Sequence, residues 1–97
     1  MRLGKVVGNV VATRKDPRLV GNKLLIVQPF LIRGDGLVLS EHEMLVAIDT
    51  VGAGIEEDVL YVMGSPALRA GEQDGGPVDA AVVGIVDSIE LAKPGSR

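Results

Sequence analysis

Apolar residues in this chain come in short runs, and glycine interrupts almost every one of them. The first run, "LGKVVGNVVAT" over Leu3–Thr13, is rich in valine and carries Gly4 and Gly8. Valine is stiff at χ1 and prefers strands, and glycine inside a strand marks a bend or a close backbone approach. With a spacing of four, Gly4 and Gly8 are expected on one face of that strand. A second strand is predicted over Lys23–Phe30, "KLLIVQPF", reaching as far as Ile32. Pro29 within it cannot donate to a ladder, so a bulge or a sheet edge is expected there. "RGDG" at 33–36 is a turn, after which Leu37–Leu39 can continue the hairpin. Further strands are predicted at Met44–Val51, Val59–Gly64 and Val78–Leu91, the last bent at Gly84. Between the fourth and fifth lies helix punctuation: Ser65 as N-cap, Pro66 at the first helical position and Gly71 beyond the end predict a short helix over Pro66–Ala70. Five short, glycine-rich strands with one short helix predict an all-β domain, a small five-stranded OB-like barrel. One domain over residues 1–91 is expected, with a mobile tail at 92–97.

Composition sharpens this picture. Hydrophobic residues are 46% of the chain, yet Phe30 and Tyr61 are its only aromatics, so the core must be aliphatic. Mean hydropathy is positive. No apolar run approaches the ~18 residues of a membrane span, and the N-terminus carries no apolar signal segment. A cytoplasmic chain of this kind is expected to hide apolar surface in contacts between subunits. Cysteine is absent, which removes disulfides, thiol chemistry and cysteine-bound zinc. The net charge of −3 and the two aromatics argue against a nucleic-acid groove, which needs basic residues and stacking platforms.

Candidate chemistry is sparse. "VGAG" at 51–54 resembles the start of a phosphate loop, but Glu57 stands where a third glycine belongs and no crossover helix fits before the next strand. Glu56, Glu57 and Asp58 would repel a phosphate. The stretch reads instead as a tight turn using the access of glycine to positive φ. His42, the one histidine, lies between Glu41 and Glu43 and reads as a solvated loop residue rather than a metal ligand or general base. Asp49, Asp79 and Asp87 sit at strand ends, suited to pairing with an arginine such as Arg69 or to bonding turn amides. Arg14, Lys15 and Arg18 form a basic loop, either solvated or in contact with an acidic neighbour. No catalytic residue, metal site or cofactor site is nominated, so an enzyme is not expected.

Three segments in order, "GKVVGNVVATRKDPRLVGNKLLIVQP", "VAIDTVGAGIEEDVLYVMGS" and "PVDAAVVGIVDSIEL", resemble the bacterial microcompartment vertex proteins, the EutN/CcmL family. The resemblance runs from Leu3 to about Leu91. It implies a five-stranded OB-like barrel that assembles with itself into a homopentamer. Such pentamers cap the fivefold vertices of a polyhedral shell in the cytoplasm, among hexameric shell proteins. On that implication Val51, Gly52, Ala53 and Gly54 are candidates for the subunit interface near the fivefold axis, because a glycine pair lets backbones approach closely. Arg14, Lys15 and Arg18 become candidates for contacts to shell hexamers. The segment "FLIRGDGLVLSEHEM" is longer and more apolar than the usual turn of the family. The alternative reading is an OB-like binding module for a nucleic acid or a small ligand, which would be monomeric or dimeric.

Overall fold

The computed structural model describes residues 1–13, 17, 21–64 and 79–92. It contains six strands: β1 (Arg2–Val10), β2 (Leu24–Arg33), β3 (Gly36–Leu39), β4 (Leu45–Asp49), β5 (Asp58–Met63) and β6 (Ala80–Val86). Among the described residues there is no helix; the helix expected over Pro66–Ala70 lies outside them. The strands pair in the order β1-β5-β6-β4-β2-β3, and β1 also pairs with β2. Five strands therefore close a ring of hydrogen bonds, and β3 hangs outside it on β2. All pairs are antiparallel except β4 with β6.

The expected count of five strands is corrected to six. The turn at Gly34 and Asp35 closes a hairpin of its own, in which Phe30, Leu31, Ile32 and Arg33 pair with Leu39, Val38, Leu37 and Gly36. Besides β1, β2 can serve two further partners because it is ten residues long. Its first half, Leu24–Val27, pairs with β4, and its second half pairs with β3. Pro29, with no N–H to contribute, sits at this changeover, and its carbonyl accepts from the Ser40 amide at 2.8 Å. No register shift occurs there. Register shifts fall elsewhere: one between β5 and β6, where Leu60 pairs with Gly84 and Tyr61 with Val82, and one in β1, a bulge between Val6 and Gly8.

That bulge overturns a second expectation. Gly4 and Gly8 do not share a face. Gly4 pairs with Pro29 and Val6 with Val27, all buried, whereas Gly8 pairs with Ile26 on the opposite face. The extra residue, Val7, reverses the alternation along β1.

The ring encloses Val6, Leu25, Val27, Ala47, Val59, Tyr61, Ala80 and Val82, contributed by all five strands. Ala53, fully buried, joins them from the turn between β4 and β5. Tyr61 is the largest side chain in this core. At Gly4 the packing is tightest: a Cβ there would lie 2.5 Å from Val27 Cγ1 and 3.1 Å from Tyr61 Cε1. On the other face of the sheet Ile48 and Ala81 pack with Leu24, Val62 and Val83 as a smaller cluster.

Candidate subunit interface

The turn that carries Val51–Gly54 is built from both ends. β4 ends at Asp49, and its Oδ1 accepts the amides of Val51 at 3.0 Å, Gly52 at 3.1 Å and Ala53 at 3.3 Å. One carboxylate oxygen thereby holds three successive N–H groups, an arrangement that aspartate favours because its short side chain reaches the backbone just ahead. The role of turn-amide acceptor expected for Asp49 is thus met. Thr50 extends the link to β6, its amide and hydroxyl both donating to the Val82 carbonyl, at 3.2 and 2.7 Å.

Gly52 takes φ +78°, a conformation that costs other residues about 1–2 kcal/mol. No atom lies within 4 Å of where its Cβ would stand, so conformation rather than crowding asks for glycine. Gly54 donates to Glu57 Oε1 at 2.6 Å, and its carbonyl accepts the Glu57 amide at 3.2 Å. Glu56 also lies at positive φ, +74°. It is held there by β1: its amide donates to the Val6 carbonyl at 2.7 Å, and Val6 donates to the Glu57 carbonyl at 2.9 Å.

Two lysines fasten the outside. Lys23 Nζ donates to the Ala53 carbonyl at 2.9 Å, and Lys5 Nζ donates to the Glu56 carbonyl at 3.2 Å while pairing with Asp58 Oδ1 at 3.0 Å. The Lys5–Asp58 pair is about one-third exposed, so water screens it and it contributes at most about 1 kcal/mol. Neither lysine stood out in the sequence, because each reaches a segment 30 or more residues away.

The result is a rigid turn that presents an apolar tip. Ala53 is buried in the core, Gly52 is exposed, and Val51 and Ile55 are 40% and 54% exposed. The amides of Val51, Gly52, Ala53, Gly54, Glu56 and Glu57 all have intramolecular acceptors, and the side chains of Glu56 and Glu57 are exposed. A phosphate would meet Glu56 and Glu57. His42 is exposed, in a loop whose shape comes from Ser40: Ser40 Oγ accepts the amides of His42 at 3.3 Å and Glu43 at 3.1 Å. Arg14, Lys15 and Arg18 lie outside the described residues.

Residues 1–87 match the family model described as "Ethanolamine utilisation protein EutN/carboxysome". The chain belongs to the EutN/CcmL family. The family match spans every strand of the ring, and the same relation appears in individual proteins. The carboxysome shell vertex protein CcmL of Synechococcus elongatus is 47% identical over 91 residues, covering 94% of this chain and 88% of that protein. The bacterial microcompartment shell vertex protein GrpN of Rhodospirillum rubrum is 43% identical over 90 residues, covering 93% of this chain and 97% of that protein. The solved structure of GrpN, described as a pentameric microcompartment shell protein, superposes with a TM-score of 0.80 and 42% identity, over 96% of this chain and 100% of that one.

Proposed function

We propose that this chain is a structural shell protein that forms homopentamers and caps the fivefold vertices of a bacterial microcompartment in the cytoplasm. The observation that carries this reading is the full-length likeness to shell vertex proteins, one of them solved as a pentamer. A flat layer of hexamers cannot close on itself, so a polyhedral shell needs fivefold points. The subunit that fills them needs a heterologous interface, in which two different patches meet around the axis. It needs no active site, and we read the chain as a non-enzyme.

The closed ring of five strands is an OB-like barrel, in a single domain over residues 1–91 followed by a tail at 92–97. The turn Val51–Gly54 lies in the subunit interface near the axis. Its rigidity supports this placement: a tip locked by Asp49, Lys23 and β1 loses little entropy when a neighbour covers it. Arg14, Lys15 and Arg18 contact adjacent shell hexamers.

Light scattering tests the assembly. Five chains of 10.1 kDa give a particle of about 50 kDa; a chain that stays monomeric or dimeric is a binding module instead. Gly54→Val tests the placement of the turn, because a Cβ at Gly54 meets only the flexible end of Glu57 at 3.3 Å within its own subunit. The variant should fold and lose pentamers in native mass spectrometry. A pentameric Gly54→Val removes the turn from the interface. Charge reversal at Arg14, Lys15 and Arg18 should leave the pentamer intact and reduce its incorporation into shells with hexamers.

A further inference from the structure

The hairpin of β2 and β3 builds a cleft that the vertex reading does not use. Along β2 the inward positions Leu25, Val27 and Pro29 are buried, and alternation carries Leu31 and Arg33 onto the same face. β4 pairs only with Leu24–Val27, so Leu31 and Arg33 stand beyond its last rung, at the mouth of the ring. Small-ligand sites favour such mouths. Val38 lies opposite Leu31. Ser40 continues the hairpin, its amide donating to the Pro29 carbonyl at 2.8 Å. Leu31, Arg33, Val38 and Ser40, with Glu41 and His42 from the loop that follows, line a cleft of about 260 Å³. Leu31 and Val38 make it apolar in part, being 38% and 41% exposed. The remaining four lining residues are polar or charged.

Two observations show what this cleft lacks. The first is Ser40, only 4% exposed. Its Oγ accepts the amides of His42 at 3.3 Å and Glu43 at 3.1 Å, and its carbonyl accepts from Gln28 Nε2. A serine oxygen has two lone pairs, so both are engaged and the hydroxyl proton is left to give. None of the described residues accepts it. A buried donor without an acceptor is costly, and a ligand oxygen in the cleft would satisfy it. The second is a pair of opposite charges. Arg33 and Glu41 line the same cleft, yet they do not pair with each other; among the described residues the one ion pair is Lys5–Asp58. Space between two unpaired opposite charges fits a molecule that carries both signs.

We propose that this cleft binds a small zwitterion with a short aliphatic body, a compact amino acid. Its carboxylate accepts from the Ser40 hydroxyl and from the guanidinium fork of Arg33. Its ammonium faces Glu41, and its carbons cover Leu31 and Val38. The volume suits this class, with room for roughly eight groups the size of a water molecule. A dianion such as phosphate would meet Glu41 with one charge too many.

The test titrates the full chain with valine, isovalerate and isobutylamine, and follows backbone amide shifts by NMR. Valine should shift the amides of Leu31, Val38, Ser40, Glu41 and His42, and bind about tenfold more tightly than either half-ligand. Arg33 and Glu41 are exposed, so Arg33→Gln and Glu41→Gln should keep the circular dichroism of the wild type. Arg33→Gln should weaken valine about tenfold and leave isobutylamine unchanged. Glu41→Gln should weaken valine by a similar factor and leave isovalerate no weaker. Absence of amide shifts with valine overturns the proposal, as does valine binding that neither substitution changes. Isovalerate binding as tightly as valine overturns it in favour of a plain anion site. None of these outcomes depends on the mass of the assembled particle.

Discussion

Replacing Gly4 by alanine is the sharpest perturbation the ring offers. The added Cβ would stand 2.5 Å from Val27 Cγ1, 3.0 Å from the Gln28 carbonyl oxygen and 3.1 Å from Tyr61 Cε1. A valine methyl can turn away, but the carbonyl belongs to the backbone of the paired strand, and Val27 and Tyr61 are both fully buried. Overpacking of this kind costs about 1–3 kcal/mol, and a backbone contact places this site at the upper end. Alanine recovers about 0.4–1 kcal/mol by restricting the unfolded chain. The net loss is about 2 kcal/mol, which for a chain of this size lowers Tm by about 8–16 °C. Gly8→Ala is the internal control, because on the far side of the bulge its Cβ meets only Ile26, at 3.4 Å. That variant should melt at the wild-type temperature or slightly above. Both should be followed by circular dichroism at one fixed protein concentration, since assembly links stability to concentration. If Gly4→Ala melts within about 3 °C of the wild type, or if the two variants lose equal stability, the packing and the bulge described here are wrong.

Two further outcomes are expected. Tyr61→Phe should raise the unfolding free energy by up to about 1 kcal/mol, read as a higher urea midpoint, because the Tyr61 hydroxyl is buried with no hydrogen-bond partner among the described residues; a loss of stability would reveal a partner. At the two positive-φ positions of the turn, opposite substitutions should have opposite signs: Gly52→Ala should cost about 1–2 kcal/mol and Glu56→Gly should gain up to about 1 kcal/mol in urea unfolding, and equal signs would contradict the turn geometry.

Strand positions were legible in the sequence because valine-rich runs bounded by glycine state a local preference. β4 and β5 fall within about one or two residues of the expected Met44–Val51 and Val59–Gly64, whereas β6 ends at Val86 and not at the expected Leu91. Asp49 could be read as an acceptor of turn amides, because that contact is made within four residues. The family itself was legible, since it is written in segment order along the whole chain.

Contacts distant in sequence were not legible. The bulge at Val7 depends on how β1 must register against both β2 and β5, and no local pattern reports it. The close approach at Gly4 exists only once Val27 and Tyr61 have been brought to the same point from two other strands. Lys23 and Lys5 became parts of the turn for the same reason. Hydrophobic patterning marked Phe30–Leu39 as apolar, but only the closed ring, by leaving β3 outside it, decided that this surface faces away from the core of its own subunit. Local propensity determines which segments are extended; the closure of the ring determines which of their faces are left for another molecule.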